Sequence, residues 1–283
     1  MTDRRWISIE SITCELCGGK ETKPFAKAQD LYSANVYAVV ECAQCGLIYV
    51  NPRISNFEEI YRNQETMLKY FLEKVSSDLT AFKLPLSLIE RFKPKGLVLD
   101  IGCGIGNFLL QLKEKGYECF GIELNKDCVR YAGEVRGLTI KEGRIEDIDF
   151  GEERFDLITI LSTLEHMGHP VKVLSKVRSL LRDDGVVIIS VPNVGYLSFR
   201  IGKALHIRTK TLDPTAHLFY FSPATLLKMG EKAGLKMIYH ECGLVSSVRV
   251  KERVKDWIKR IVFPLTNRLE WGSTITMVLK ETR

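Results

Sequence analysis

The chain has 283 residues and a net charge of +6, and is 45% hydrophobic and 27% charged, the balance of an ordinary globular protein able to hold one large and one small domain. No apolar run approaches the ~18 residues that span a bilayer, and MTDRRWISIE lacks the apolar core of a signal peptide; a cytoplasmic protein with reduced thiols is the expectation. The mild positive charge permits an anionic small molecule without demanding nucleic acid.

Residues 1–55 are short, cysteine-rich and strand-like, and VYAVVECAQCGLIYVNPR predicts a β-ribbon. Cys14 and Cys17, then Cys42 and Cys45, form two Cys-x-x-Cys pairs, a four-thiolate pattern for structural zinc. Each pair can turn so that backbone N–H groups point at the sulfurs, and the metal makes foldable a ribbon too small to bury enough apolar surface. A disulfide fits a reducing compartment poorly. The remaining cysteines, Cys103, Cys119, Cys128 and Cys242, stand singly in apolar surroundings and read as small core residues.

Residues 56–94 turn helical through Phe57, Ile60, Tyr61, Leu68, Phe71, Leu72 and Val75, with Pro85 expected to interrupt the pattern and Pro94 and Gly96 to end it. From residue 95 to 283, strand and helix alternate. LVLDIG, YECFGIEL, LTIKEG, RFDLITILSTL and VVIISVPN read as strands; IGNFLLQLKEKG, KDCVRYAGEVRG and PVKVLSKVRSLLRDDG read as helices between them. This rhythm predicts an α/β fold with a doubly wound, mostly parallel sheet. The stretch at about 195–222 breaks the rhythm, SPATLLKMGEKAGL restores a helix with Ser222 as N-cap and Pro223 first in the helix, and KMIYHECGL and STITMVLKE are late strands. Between those strands, at about 248–268, apolar residues recur at helical spacing.

The loop Gly102-x-Gly104-x-Gly106 joins a strand to a helix, where backbone can approach a ligand and free N–H groups are available. Asp100 stands just before the first glycine, where a carboxylate repels a pyrophosphate but can hold an ammonium group. Glu123 ends the next strand, well placed to accept from two ribose hydroxyls. The glycines on their own are also compatible with a tight turn and nothing more.

VLDIGCGIGNFL, Glu123 in GIEL, FDLITILSTLEHMGHP and GVVIISVPN together resemble class I S-adenosylmethionine-dependent methyltransferases over roughly residues 95–240. The resemblance implies a Rossmann-like sheet of seven strands with S-adenosylmethionine bound at its edge. It implies that Gly102, Cys103 and Gly104 lie beside the methionine part and that Asp100 helps hold its ammonium. Glu123 takes the ribose, Leu124 lies against the adenine, Arg144 and Ile145 sit at the adenine edge, and Leu161 lines the cleft. Many relatives have an aspartate where Arg144 stands. CAQCGLIYVNPR is similar to the zinc-binding segment of certain sugar C-methyltransferases, and HLFYFS resembles a stretch in those enzymes whose histidine is a proposed base. That puts His217 in an acceptor lid, with Tyr220 or Tyr196 adding a hydroxyl. Ala216 replaces the acid that often precedes the histidine, leaving Asp213 as a candidate orienting carboxylate.

LEH, carrying Glu165 and His166, is similar to ubiquinone-pathway O-methyltransferases, in which two glutamates and a histidine can form a metal site; Ser162 stands in place of the first glutamate. Against catalytic roles stand plainer ones: Glu165 bracing a helix, His166 packing near the cofactor, His217 bonding a backbone carbonyl. His169, His206 and His240 read as surface or packing residues. VRVKERVKDWIKR presents six basic residues around an apolar stripe. It suits acidic lipid or RNA, but such helices more often pack their stripe on the domain. Three functions remain: methyl transfer to a sugar, nucleotide-sugar or glycan precursor at oxygen or carbon; RNA methylation; or a non-catalytic cofactor-binding scaffold.

Overall fold

The computed structural model describes residues 8–29, 36–196, 212–243 and 263–282. Its main sheet has seven strands in the order β12-β13-β10-β9-β6-β7-β8. They are β6 (Leu97–Ile101), β7 (Glu118–Glu123), β8 (Thr139–Glu142), β9 (Phe155–Leu161), β10 (Leu181–Pro192), β12 (Leu235–Gly243) and β13 (Thr274–Glu281). All neighbours pair in parallel except β13, which runs antiparallel to both β10 and β12. Helices cover both faces, so the central strands are apolar on both sides: every residue of β6 is buried. The expected doubly wound sheet is the observed one.

The connecting helices are α4 (Asn107–Glu114), α5 (Lys126–Glu134), α6 (Pro170–Ser179) and α7 (Pro223–Lys232). Ser222 caps α7 in a capping box, its side chain accepting from the Thr225 N–H while the Thr225 hydroxyl takes the Ser222 N–H. Helix α6 is shorter than its sequence pattern predicts. It stops at Ser179, and the following LLRDDG enters β10, where Leu181 pairs with Phe155 and a register shift precedes Val186. Burial of Leu180 and Leu181 against the sheet outweighs the helical period there.

Ahead of the main sheet lie β1 (Ile9–Glu10), β2 (Thr22–Gln29), β3 (Val36–Cys42), β4 (Ile48–Val50) and β5 (Arg53–Ile54), then α1 (Phe57–Arg62), α2 (Thr66–Ala81) and α3 (Lys83–Phe92). The break between α2 and α3 falls at Phe82 and not at Pro85, which sits in the first turn of α3, where its missing N–H has no helical partner to lose. β1 pairs with β5, while β2, β3 and β4 form a four-stranded antiparallel sheet completed by β11 (Phe219–Tyr220), in the order β11-β4-β3-β2. Phe219 pairs with Tyr49 and Tyr220 with Ile48, and the Val50 N–H donates to the Leu218 carbonyl. A strand from beyond β10 therefore finishes the cysteine ribbon.

The ribbon is fastened further. Arg53 donates to the Gly168 carbonyl, Lys232 donates to the carbonyls of Glu15 and Leu16, and His169 meets Glu15 at 2.9 Å. Cys14, Leu16, Cys42 and Tyr49 share one apolar cluster with Val173, Phe219 and Leu226. A short helix, α8 (Phe263–Arg268), precedes β13. Among the described residues no helix is long and apolar enough to cross a membrane. His206 and VRVKERVKDWIKR lie outside the described residues, as do most of the lid at 195–222 and most of the segment at 248–268.

Candidate functional site

The glycine loop follows β6 at the carboxyl end of the parallel strands, where such sheets bind ligands. Gly102 and Cys103 donate their N–H groups to the Ile122 carbonyl, tying the loop to β7. Gly102 has φ +73°, and a Cβ there would lie 2.3 Å from the Thr163 methyl. Only glycine meets both conditions. Asp100, 3% exposed, accepts from the Thr159 hydroxyl at 2.6 Å. Burial raises its carboxyl to about 7, the Thr159 bond pulls the other way, and nearby Glu123 adds to the rise.

Glu123 is the most heavily bonded carboxylate of the loop. Its Oε2 accepts from the Gly104 N–H at 2.9 Å, and its Oε1 from the N–H groups of Leu124 and Asn125 at 2.8 Å each. Burial raises its pKa despite these donors and the Tyr61 hydroxyl, which also bonds it. Burial, and after it the nearby Glu123 charge, push the Tyr61 phenol well above its ordinary value.

Three residues around the loop escaped sequence reasoning. Asn125 is fully buried and works in two directions. Its Oδ1 caps α5 by accepting from Asp127 and Cys128, while its Nδ2 donates to the carbonyls of Tyr61 and Gln64. Tyr61 reaches Glu123 from α1, and the Phe71 ring of α2 packs over Gly104. Their signal was only the apolar period of residues 57–75, which marks a buried face without saying what it covers. The helices α1 and α2 therefore cap the glycine loop.

Arg144 and Ile145 divide. The Arg144 guanidinium pairs with Glu58 at 2.9 Å and Asp147 at 2.8 Å, which leaves its donors committed to carboxylates. Ile145 is buried in the main core. Leu124 is half-buried beside Glu123, and Leu161, also half-buried, closes β9.

A second group gathers next to the loop. Ser162 follows β9 in the left-handed region, φ 49°, and starts a sharp turn into the single 3-10 turn Leu164–His166. Thr163, which touches Gly102, thus lies two residues from Glu165. Glu165 is 1% exposed, and neither carboxylate oxygen has a hydrogen-bond partner among the described residues. Its backbone carbonyl takes the Leu218 N–H, which fastens the segment before β11 to this turn.

His166 Nδ1 lies 2.6 Å from the Ala216 carbonyl and Nε2 lies 3.8 Å from Glu165 Oε1. The His217 ring packs edge-on against His166 at 4.8 Å and stands 6.1 Å from the Tyr220 ring. Burial and the neighbouring His166 lower His217 to about 4, against the pull of Asp213. The Asp213 carboxylate bonds Thr215 and the Ala216 N–H. It shapes the turn before His217, and the acid beside the two rings is Glu165. Tyr220 is buried, its hydroxyl has no hydrogen-bond partner among the described residues, and burial raises that phenol. His240, on β12, pairs with Glu270 at 3.4 Å and belongs to neither group.

The four ribbon cysteines also converge. Cys14 Sγ is 3.5 Å from Cys45 Sγ, and Cys17 Sγ is 3.5 Å from Cys42 Sγ. A tetrahedron with zinc–sulfur arms of 2.3 Å has edges of about 3.8 Å. Both pairs read Cys-x-x-Cys-Gly, with Gly18 at φ +75° and Gly46 at φ +77° returning their N–H groups to the carbonyls of Cys14 and Cys42. Backbone donors at Leu16 and Cys17 face Cys14, and those at Gln44 and Cys45 face Cys42. The cluster is compatible with a structural zinc.

Residues 71–240, more than half the chain, match a family profile described as a methyltransferase domain. The chain belongs to that family. It is a class I S-adenosylmethionine-dependent methyltransferase. A ubiquinone biosynthesis O-methyltransferase from Actinobacillus pleuropneumoniae is 32% identical over 154 residues, 49% of this chain and 65% of that protein. The chain thus spans just under two thirds of that relative's length. An S-adenosylmethionine-dependent methyltransferase from Archaeoglobus fulgidus has a similar fold at TM-score 0.55 and 24% identity, over 75% of this chain and 99% of the other. A possible histamine N-methyltransferase from Thermotoga maritima aligns at TM-score 0.56 and 16% identity, over 79% and 99%.

Proposed function

We propose that this methyltransferase acts on a small-molecule acceptor, a sugar, nucleotide-sugar or glycan precursor methylated at oxygen or carbon. The observation that carries the reading is the shared sheet: β11, which begins two residues after His217, is paired with the cysteine ribbon. The two segments that resemble sugar methyltransferases, CAQCGLIYVNPR and HLFYFS, thus meet strand to strand. S-adenosylmethionine supplies a methyl group already activated by its sulfonium, so the protein's work is alignment, exclusion of water and proton removal.

In this reading Glu123 accepts from the ribose hydroxyls in place of Tyr61, Asp100 faces the ammonium, and Gly102, Cys103 and Gly104 line the methionine part. Leu124, Ile145 and Leu161 form apolar walls. Deprotonation of the acceptor falls to the cluster of Glu165, His166 and His217, where burial keeps the His217 imidazole neutral with a lone pair free. A base made weak by that burial receives the proton only as the acceptor loses it in the methyl transfer. The Tyr220 hydroxyl, buried and without a partner among the described residues, is available to an acceptor oxygen. A phenolic acceptor is the second reading, favoured by the 32% identity to a ubiquinone O-methyltransferase.

The test is incubation with methyl-labelled S-adenosylmethionine and three acceptor panels: nucleotide sugars, small phenols and bulk RNA, with products identified by mass spectrometry. Label on a nucleotide sugar supports the leading reading. Label confined to phenols selects the second, and label confined to RNA defeats both.

A further inference from the structure

The least expected feature of the site is the Glu165 carboxylate. It is 1% exposed, and both its oxygens are orphaned among the described residues. A buried acid in that condition loses its hydration without return and is costly unless a cation, a proton or a ligand donor reaches it. Two imidazoles stand beside it, and one ligand atom from each of Glu165, His166 and His217 lies within 4.8 Å of the others.

The groups that orient these side chains are in place as well. His166 Nδ1 donates to the Ala216 carbonyl at 2.6 Å, which fixes the tautomer and leaves the lone pair on Nε2, the nitrogen 3.8 Å from Glu165 Oε1. The Glu165 backbone carbonyl takes the Leu218 N–H, so the segment carrying His217, just before β11, is held against the turn carrying the other two groups. Coordination arms of about 2.0–2.2 Å need ligand atoms about 3–3.5 Å apart. Small side-chain rotations close the observed spacing to that range.

We infer that Glu165, His166 and His217 form a site for one divalent transition-metal cation of the zinc class, separate from the four-cysteine cluster. Two imidazoles and one carboxylate leave a further coordination position open, as a cation that must meet a substrate requires. The set differs from the one implied by the resemblance to ubiquinone-pathway enzymes, because Ser162 replaces the first glutamate and the third ligand comes from the lid. Its consequence rests on the proposed methyl transfer: the cation is a Lewis acid beside the acceptor oxygen, and His217 is then its ligand, whereas in the metal-free cluster His217 is the free base.

Cobalt(II) titration of full-length protein brought to one zinc per chain, which the four thiolates retain, and cleared of weaker-bound metal with a mild chelator, without cofactor or acceptor, tests the site. The expected result is one saturable equivalent with weak visible d–d bands and none of the intense thiolate charge transfer that cobalt in the cysteine cluster gives. Glu165→Gln, which keeps the shape of the side chain, and His166→Asn, which keeps a donor near Ala216, should each weaken that equivalent at least about 10-fold with unchanged circular dichroism. Absence of a saturable equivalent overturns the inference, as does cobalt binding that both variants leave intact. Because no acceptor is present, a protein that binds cobalt but methylates no sugar defeats the acceptor proposal alone, and the reverse outcome defeats the metal site alone.

Discussion

Replacing Glu123 by glutamine isolates the contribution of one carboxylate oxygen to cofactor binding. In the protein Oε1 receives two backbone N–H groups and Oε2 receives one, from Gly104. A glutamine keeps the Leu124 and Asn125 bonds by placing its carbonyl on the Oε1 side. Its amide then turns donors toward Gly104 and toward any hydroxyl approaching Oε2. The loss is about one hydrogen bond to a charged acceptor, ~1.5–3 kcal/mol, so S-adenosylmethionine affinity should fall about 12- to 150-fold. Burial already disfavours the Glu123 charge, so the ligand-free variant should melt no lower than the wild type by more than a few degrees. Isothermal titration with S-adenosylhomocysteine gives the affinity, and Arg144→Ala is the control. Since Arg144 is committed to Glu58 and Asp147, its removal should shift affinity less than about threefold. A Glu123→Gln protein that binds within threefold of the wild type, or an Arg144→Ala protein that loses more, refutes this account of the cleft.

Gly102→Ala must hold an L side chain at φ +73° and push against Thr163; at ~1–2 kcal/mol for the backbone alone, cofactor affinity should drop at least about tenfold by titration, and undiminished affinity would remove the close-packing argument. Asp100 has its folded-state pKa raised to about 7, so ionising it costs stability as pH rises from the ordinary carboxylate range toward 7, and that loss persists above it. Asp100→Asn, which keeps an acceptor for Thr159, should therefore melt higher than wild type at pH 8, by about 2–4 °C per kcal/mol, and no higher at pH 4, while binding cofactor more weakly; equal melting shifts at both pH values would reject the burial explanation. Stripping the ribbon's zinc should loosen β4 and, with it, β11, so that limited proteolysis opens the chain between Asp213 and Phe221 while S-adenosylhomocysteine still binds; an uncut lid in the stripped protein would show that β4 does not hold it.

The parallel sheet was legible because buried βαβ strands are short apolar runs and their helices carry a distinct period, as LVLDIG and IGNFLLQLKEKG illustrate. Glu123 was legible because the pairing of an acid at the second strand end with a glycine loop is local in sequence. The Ser222 cap was legible for the same reason, since the cap and its partner Thr225 are three residues apart. What escaped was nonlocal. The β11 strand is two residues long and pairs with Ile48 and Tyr49, about 170 positions earlier, so no periodicity announces it. Tyr61 and Phe71 look like any apolar helical face until the glycine loop is placed beneath them. Asp213 was the nearest acid in sequence to His217, yet its carboxylate closes a turn, while Glu165, 52 positions away, sits beside the rings. Helix α6 ended early because sheet pairing of Leu181 overrode a helical pattern that continued through it.

The central claim is that one cleft presents the cofactor's sulfur to the cluster of Glu165, His166 and His217. A crystal structure with S-adenosylhomocysteine tests it most directly. The account predicts both ribose hydroxyls on Glu123, with Tyr61 displaced from that carboxylate, and the sulfur facing the two imidazoles across an open space the size of an acceptor ring. A ribose bound away from Glu123, or a sulfur facing away from His166 and His217, would contradict it.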